Sequence, residues 1–268
     1  MPASLTLPRN TPMPTARPAG IAQRDIGGIA VAVLSRSAAL AELSEAMSSG
    51  RHVKLAFCNA NLVNIAAADP ALLRQLAGFL VLPDGIGVDL GSRLLYGDSF
   101  PANLNGTDFI PALLEAETRA LTIALVGAKP GVAERAAAKL AERYPRHRFR
   151  VAGDGFFDAT GEAGLLASLK AAPPDLLLVA LGNPRQERWI AETVGPQHAA
   201  VAAGVGALFD FLAGEVPRAP EAWRRARLEW LYRLWREPAR LWRRYILGNP
   251  LFLLRILRQR LRTVRPQP

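Results

Sequence analysis

Six short apolar runs along this chain each stop at a turn rich in Gly, Asn or Asp, and a helical pattern follows most of them. The clearest case is LTIALVGAKPGVAERAAAKLAERYP, which predicts a strand over 121–126, a turn over 127–131 and a helix to about Tyr144. A buried strand feeding a helix through a short turn is a β-turn-α unit. Repeats of it build a mostly parallel sheet with helices on both faces. The pattern therefore predicts an α/β fold with a Rossmann-like sheet flanked by helices. Ligands of such folds bind beyond the carboxyl ends of the strands. The turns expected on that edge are 59–61, 83–85, 127–131, 153–155, 182–186 and 204–206. Their glycines let backbone approach a ligand, and the helix N-termini beyond them favour anions. At each, a glycine that merely permits a tight turn is the alternative. None matches the dinucleotide fingerprint or the Walker phosphate loop.

Local signals fill in the rest. Residues 21–33 read as a short β-rich lead-in, and SAALAELSEAMSSG as a helix ended by Ser-Ser-Gly. ANLVNIAAADPALLRQLAGF reads as two helices divided at Asp69-Pro70, with Asp69 as N-cap and Pro70 at the first helical position. LVLPDGIGV reads as a strand and then a turn, and GTDFIPALLEAETR as a helix begun by a Thr/Asp cap.

The 268 residues suffice for one large α/β domain or two small ones, and half of them are hydrophobic. One cysteine, Cys58, excludes an internal disulfide and fits a small apolar strand residue better than a nucleophile. His52, His147 and His198 are scattered, without metal-site spacing. Residues 1–20, rich in Pro, Ala and Thr, read as disordered and lack the apolar core of a signal peptide. No window reaches the roughly 18 uninterrupted apolar residues of a spanning helix, so the expected location is cytoplasmic.

The net charge of +10 is concentrated at one end. Residues 221–268 hold 13 arginines and 3 acids, while the 220 residues before them balance 20 bases against 20 acids. The expected organisation is a neutral α/β body over 21–220 and a basic helical C-terminal appendage over 221–268. In the appendage Trp230, Leu231, Leu234, Trp235, Leu241, Trp242 and Tyr245 recur at helical spacing, as a buried stripe would, and Pro238 starts a second helix. NPLFLLRILRQRL adds an amphipathic segment, too short and too charged to span, which could lie in a membrane interface or dock on a protein partner. Arg224, Arg225, Arg227, Arg255, Arg258, Arg260 and Arg262 suit anionic lipid, at about 1 kcal/mol per charge near the surface. An Arg- and Trp-rich tail also admits a nucleic-acid-binding module, against which stand the neutral body and the stripe-like spacing of the Trp residues.

LPDGIGV, LVGAKPGVAERAAAKLAERYP, GDGFF, PDLLLVALGNPRQERWI, GVGALFDFLAGEVPRAP and RLEWLYRLWREPARLWRRY stand in this order. Together they resemble the WecG/TagA/CpsF glycosyltransferases, glycosyltransferase family 26, over roughly residues 25–247. The resemblance implies an inverting transfer, without metal or other cofactor, from a UDP-sugar donor to an undecaprenyl-diphosphate-linked sugar. It implies work on the cytoplasmic face of the cell membrane in surface-polysaccharide assembly, with the appendage serving active-site closure and membrane contact. A homo-oligomer is left open, no nucleic-acid partner is implied, and a catalytically inactive scaffold of the same fold is the blandest alternative.

The resemblance places the general base at Asp84, which otherwise is an Asp that shapes its own turn. Asn59 and Asn61 fall near the implied reaction centre. Relatives often carry Thr where this chain has Phe57, and Arg where it has Asn103; these departures favour an exopolysaccharide-type donor such as UDP-glucose over UDP-N-acetylmannosamine or its uronate. Asn105, Thr107 and Asp108 resemble the family's element at a helix start, where Asp108 binds sugar hydroxyls or only caps. Gly127 opens a turn that holds part of the nucleotide or simply connects strand to helix. Gly182, Pro184, Gln186, Glu187 and Gly206 are the remaining expected contacts on the sheet edge. Gln186 offers both donor and acceptor, whereas a helix N-terminus favours Glu187 even without a ligand. Arg233, Arg240 and Arg243 match positions implied to reach the donor diphosphate, for which a guanidinium fork is well shaped; a solvated basic face is the alternative.

Overall fold

The computed structural model describes residues 20–264, and of 263–264 the backbone alone. The segment expected to be disordered, residues 1–20, lies outside the described residues except for Gly20. The expected lead-in is an antiparallel hairpin, β1 (Gln23–Ile26) and β2 (Ile29–Ala32). Helix α1 (Arg36–Ser49) follows, capped by Ser35 and ended by Gly50 in the left-handed region. Then come β3 (Val53–Cys58), α2 (Ala60–Ala66) and α3 (Pro70–Leu76). Asp69 caps α3 by accepting from the N–H groups of Ala71 and Leu72, with Pro70 in the first turn, as the sequence predicts.

The chain continues through β4 (Leu80–Pro83), α4 (Ile86–Tyr96), α5 (Gly106–Ala116), β5 (Thr122–Gly127), α6 (Val132–Arg143), β6 (Arg148–Gly153) and α7 (Ala159–Ala171). The body closes with β7 (Leu176–Ala180), α8 (Arg185–Thr193), β8 (Val201–Gly204) and α9 (Leu208–Leu212). Six strands form one parallel sheet in the order β4-β3-β8-β7-β5-β6. Because all six run the same way, the turns after them share one edge.

Both faces of the sheet are covered. In β3, Val53, Leu55 and Phe57 enter one core while Ala56 and Cys58 enter the other, the period-two alternation of a strand buried on both sides. Lys54 interrupts this run. Its Nζ donates to the Ala191 carbonyl at 2.9 Å, in the last turn of α8, where the helix dipole favours a cation.

Two local expectations are corrected. Helix α5 begins at an Asn105 cap, whose Oδ1 accepts from the Asp108 N–H at 3.0 Å, rather than at a Thr/Asp cap. The segment expected as a turn after β4 contains the eleven-residue helix α4. Gly87 and Gly91 obscured its periodicity, and Gly91 has a packing reason: a Cβ there would stand 3.1 Å from the Phe252 ring, tighter than ordinary contact.

Phe252 belongs to the appendage, which consists of α10 (Glu221–Arg225), α11 (Glu229–Arg236), α12 (Pro238–Trp242), a π-helical turn (Arg243–Leu247) and α13 (Gly248–Val264). Pro238 opens α12 as predicted. Phe252 and Ile256 of α13 are fully buried in the same core as Leu62, Val63 and Val88. Burying such side chains contributes roughly 1.5–3 kcal/mol each, so α13 is packed onto the body. The expected buried aromatic stripe is also corrected: Trp235 is 72% exposed and Trp242 42%, and of the stripe only Leu241 is buried. The chain breaks at Glu237, between α11 and α12, and the helical phase restarts there. Among the described residues no helix is long and apolar enough to cross a membrane.

Candidate functional site

A cleft of about 490 Å³ opens where the carboxyl ends of β3 and β4 face the appendage. Asp84 sits in its floor on a loop pinned from several sides. The Asp84 N–H donates to the Cys58 carbonyl at 2.8 Å, the Gly85 N–H to Asn103 Oδ1 at 2.8 Å, and the Leu104 N–H to the Pro83 carbonyl at 2.9 Å. Asn59 has two tasks. Its Oδ1 caps α2 by accepting from Leu62 at 3.0 Å, and its Nδ2 donates to Asp84 Oδ2 at 3.3 Å. Burial raises the Asp84 carboxyl above the ordinary aspartate range, and Asp108 adds to this; the Asn59 amide, Arg244 and Arg233 oppose it without cancelling it.

Asn105, Thr107 and Asp108 form one wall. Burial works to raise the Asp108 carboxyl, but Arg218, Asn105 and Arg224 outweigh it and hold the group low. Arg218 Nη1 donates to Asp108 Oδ1 at 2.8 Å, and Asn105 Nδ2 to Asp108 Oδ2 at 3.0 Å. Asp108 thus joins the body to the segment leading into the appendage. A second tie is an ion pair between Arg227 and the buried Asp89 of α4, whose other oxygen accepts from the Phe100 N–H. Arg227 was expected to face lipid. It turns to the cleft because its partner lies on α4, the helix the sequence pattern hid.

The appendage roofs the cleft with Leu228, Glu229, Trp230, Arg233, Arg244 and Tyr245. Arg233 lies over the Phe211 ring, 5.3 Å from its centroid. Burial raises the Glu229 carboxyl, opposed by Arg218 and Arg233.

Of the residues expected at the site, the cleft gathers Asn59, Asn61, Asp84, Asn105, Thr107, Asp108 and Arg233. The others lie apart from its lining. Gln186 is 2% exposed; its Oε1 accepts from the Gly206 N–H at 3.1 Å and its Nε2 donates to Glu187 Oε1 at 2.8 Å. Glu187 is fully buried, also accepts from Asn183 Nδ2 at 2.6 Å, and leaves Oε2 without a hydrogen-bond partner. Burial pushes its carboxyl up to about 7. Gly182 and Pro184 lead into α8, and Gly127 ends β5. Arg240 is exposed and pairs with Glu237, while Arg243 is exposed and lies 5.4 Å from the Trp242 ring centroid.

Phe57 is buried beneath this wall. Its ring lies 2.9 Å from where a Gly106 Cβ would stand and packs edge-on against Phe109, centroids 6.2 Å apart. It therefore offers the cleft no hydroxyl. Asn103, noted in the sequence only as a departure from the family, orders the Asp84 loop. Trp230 and Tyr245, expected in a buried stripe, line the cleft instead, together with Glu229 and Arg244, for which the sequence suggests no role; the orientation of all four depends on how the appendage folds back.

An α/β body with a cleft at the carboxyl ends of its strands has a ligand site where such folds place one, and sequence comparison defines its class. Residues 24–266 match the model of the glycosyl transferase WecG/TagA/CpsF family. The chain belongs to that family and is a glycosyltransferase. It is 37% identical over 181 residues to the N-acetylglucosaminyldiphosphoundecaprenol N-acetyl-beta-D-mannosaminyltransferase of Bacillus subtilis, covering 67% of this chain and 68% of that protein. To the enzyme of the same name from Bacillus spizizenii it is 33% identical over 187 residues, covering 69% and 71%.

Proposed function

We propose that this protein transfers a sugar from a UDP-sugar to an undecaprenyl-diphosphate-linked sugar with inversion, and that Asp84 is the general base. The observation that carries the reading is Asp84 itself, a carboxylate on a pinned loop in the floor of a cleft where body and appendage meet. An inverting transfer needs little more chemistry than this. Asp84 takes the proton of an acceptor hydroxyl as its oxygen attacks the anomeric carbon, and the bond from that carbon to the diphosphate breaks. UDP leaves with the bonding electrons, and cationic side chains such as Arg233 stabilise the charge that develops. Asn59 holds the Asp84 carboxylate in place, and Asn61, Asn105 and Thr107 are available for sugar hydroxyls. The names of the two Bacillus relatives support a lipid-diphosphate-linked acceptor and make UDP-N-acetylmannosamine the first donor to test, with UDP-glucose and the uronate beside it.

Membrane contact is part of the same reading. Leu251, Leu254, Leu257 and Leu261 are exposed along α13, opposite the face that buries Phe252 and Ile256, with Arg258 and Arg262 beside them. This is the character of a helix lying in an interface next to anionic headgroups.

The test is transfer by wild type and Asp84→Asn, with each UDP-sugar and a lipid-diphosphate acceptor, followed by mass spectrometry of the lipid product. General-base catalysis is worth about 10²–10⁴-fold, so the variant should lose that much while melting at the wild-type temperature. Turnover by Asp84→Asn within a few-fold of wild type would remove Asp84 from the role.

A further inference from the structure

Four arginines of the appendage line the cleft, Arg224, Arg227, Arg233 and Arg244. Two are engaged: Arg224 Nε donates to the Ala219 carbonyl at 3.2 Å and its Nη1 lies 4.0 Å from Asp108, and Arg227 pairs with Asp89. Arg244 differs. Among the described residues its guanidinium makes no hydrogen bond or ion pair with a carboxylate or carbonyl; it lies against the Tyr245 ring, 5.5 Å from the centroid. Its Nε is buried and without a hydrogen-bond partner. It nevertheless lines the cleft, close enough for its charge to act on Asp84. Arg233 shares this condition: it lines the same cleft, acts on the same carboxylate, and its Nε is buried and unpartnered.

Arg244 owes its position to an unusual stretch of backbone. It lies in the π-helical turn between α12 and α13, where the Gly248 N–H reaches the Arg243 carbonyl five residues back. Such turns are rare and concentrate at functional sites. Within this one, Arg243 faces solvent while Arg244 is half-buried against the cleft. Both guanidiniums have a buried Nε without an acceptor, and an anion in the cleft would complete them. Their forks fit phosphate oxygens, and two of them match the charge of a diphosphate.

We infer that Arg244, paired with Arg233 across the roof of the cleft, is a diphosphate-binding residue, and that the π-helical turn is what presents it. The inference rests on the proposed sugar transfer, which brings two diphosphates near Asp84. One is the leaving group on the donor's anomeric carbon, and the other joins the acceptor sugar to its lipid. Both offer the same chemistry to the guanidinium.

Calorimetric titration of the full chain separates the two sources, using UDP for the donor, farnesyl diphosphate for the lipid diphosphate and uridine as the phosphate-free control. Removing a charge-assisted hydrogen bond costs on the order of ten- to a hundredfold in affinity. Arg244→Ala should weaken one of the two diphosphates by that factor, and the one affected names the source. Uridine affinity should not change. Arg244→Lys, which keeps the charge and loses the fork, should fall between, and Arg236→Ala, at an exposed arginine, should bind as wild type. Melting temperatures establish that each variant is folded, and the lysine variant carries the test if the alanine variant is not. A folded Arg244→Ala that binds UDP and farnesyl diphosphate as tightly as wild type overturns the assignment. Failure of the wild-type chain to bind UDP at all instead sinks the UDP-sugar reading on which the inference rests.

Discussion

Asp84 and Glu187 are both carboxyls raised by burial, and they lead to opposite kinds of pH dependence. Asp84 must be ionised to accept a proton, so transfer should fall as pH drops through its raised pKa. The acid limb of kcat/KM against pH should therefore lie above the ordinary aspartate range and vanish in the residual activity of Asp84→Asn. A limb at the usual aspartate position would show that the cleft does not desolvate the group. Glu187 lies apart from the cleft lining, and its effect is on stability. Unfolded, its carboxyl ionises near 4.5; folded, burial pushes it up to about 7. Below pH 4.5 both states are protonated and the native state carries no penalty from this group. Between 4.5 and 7 the unfolded chain releases the proton first, so stability falls, by about 3 kcal/mol once pH passes 7. Glu187→Gln keeps an oxygen for Asn183 and Gln186 and has nothing to ionise. Its melting temperature relative to wild type should rise from pH 5 to pH 8; parallel curves would show that Glu187 is ionised in the fold throughout. The two residues also show what was legible. Asp84 follows an apolar strand in a Pro-Asp-Gly turn, and strand-end position alone takes it to the ligand edge. Gln186 and Glu187 sit on the same edge, but a helix side chain there can point to ligand or to core. Gly204 settles the packing of Gln186, since a Cβ at that position would lie 2.9 Å from its amide, a contact no spacing reveals.

At the scale of elements, the βα units were readable because most join a buried strand to a capped or glycine-opened helix; the edge strand β6 is only half-buried. Gly127 shows how firmly one such joint is fixed. Its φ is +116°, and a Cβ there would stand 2.5 Å from the Ala180 carbonyl oxygen, on the neighbouring strand β7. The backbone alone demands glycine at this turn, whether or not a phosphate docks on it. Gly127→Ala should cost about 2–4 kcal/mol through strained φ and steric overlap, read as a lower denaturant midpoint with an unchanged slope. A midpoint within error of wild type would mean that the β5–β7 pairing yields at this end without cost. Two other elements stayed hidden for physical reasons. Helix α4 carries glycines where α13 presses against it, so its amphipathic pattern is incomplete without a partner 160 residues away in sequence. The π-helical turn has no compositional signature, and assuming regular helical phase makes Arg243 as plausible a cleft residue as Arg244.

The whole molecule places a neutral α/β body beneath a cationic roof, and α13 joins the two. One face of α13 is core, with Phe252 and Ile256 buried and Gln259 accepting from the Gly27 N–H at 2.9 Å. The opposite face carries exposed leucines. Ending the chain at residue 220 would therefore remove a core helix together with any membrane contact, and loss of binding by such a fragment would not distinguish the two effects. Substituting the outward face does distinguish them. Leu254→Ser, Leu257→Ser and Leu261→Ser together leave Phe252 and Ile256 untouched, so the melting temperature should stay near that of wild type. If each leucine gains roughly 1 kcal/mol by partial burial in the interface, the triple variant should bind anionic vesicles about a hundredfold more weakly. The arginines remain, so the residual binding should disappear at high salt, where exposed charges are screened, and on vesicles of neutral lipid. Flotation of the triple variant equal to wild type would show that α13 is not the anchor. It would then shift attention to the exposed Trp242 and to Trp235, on a helix that also roofs the cleft.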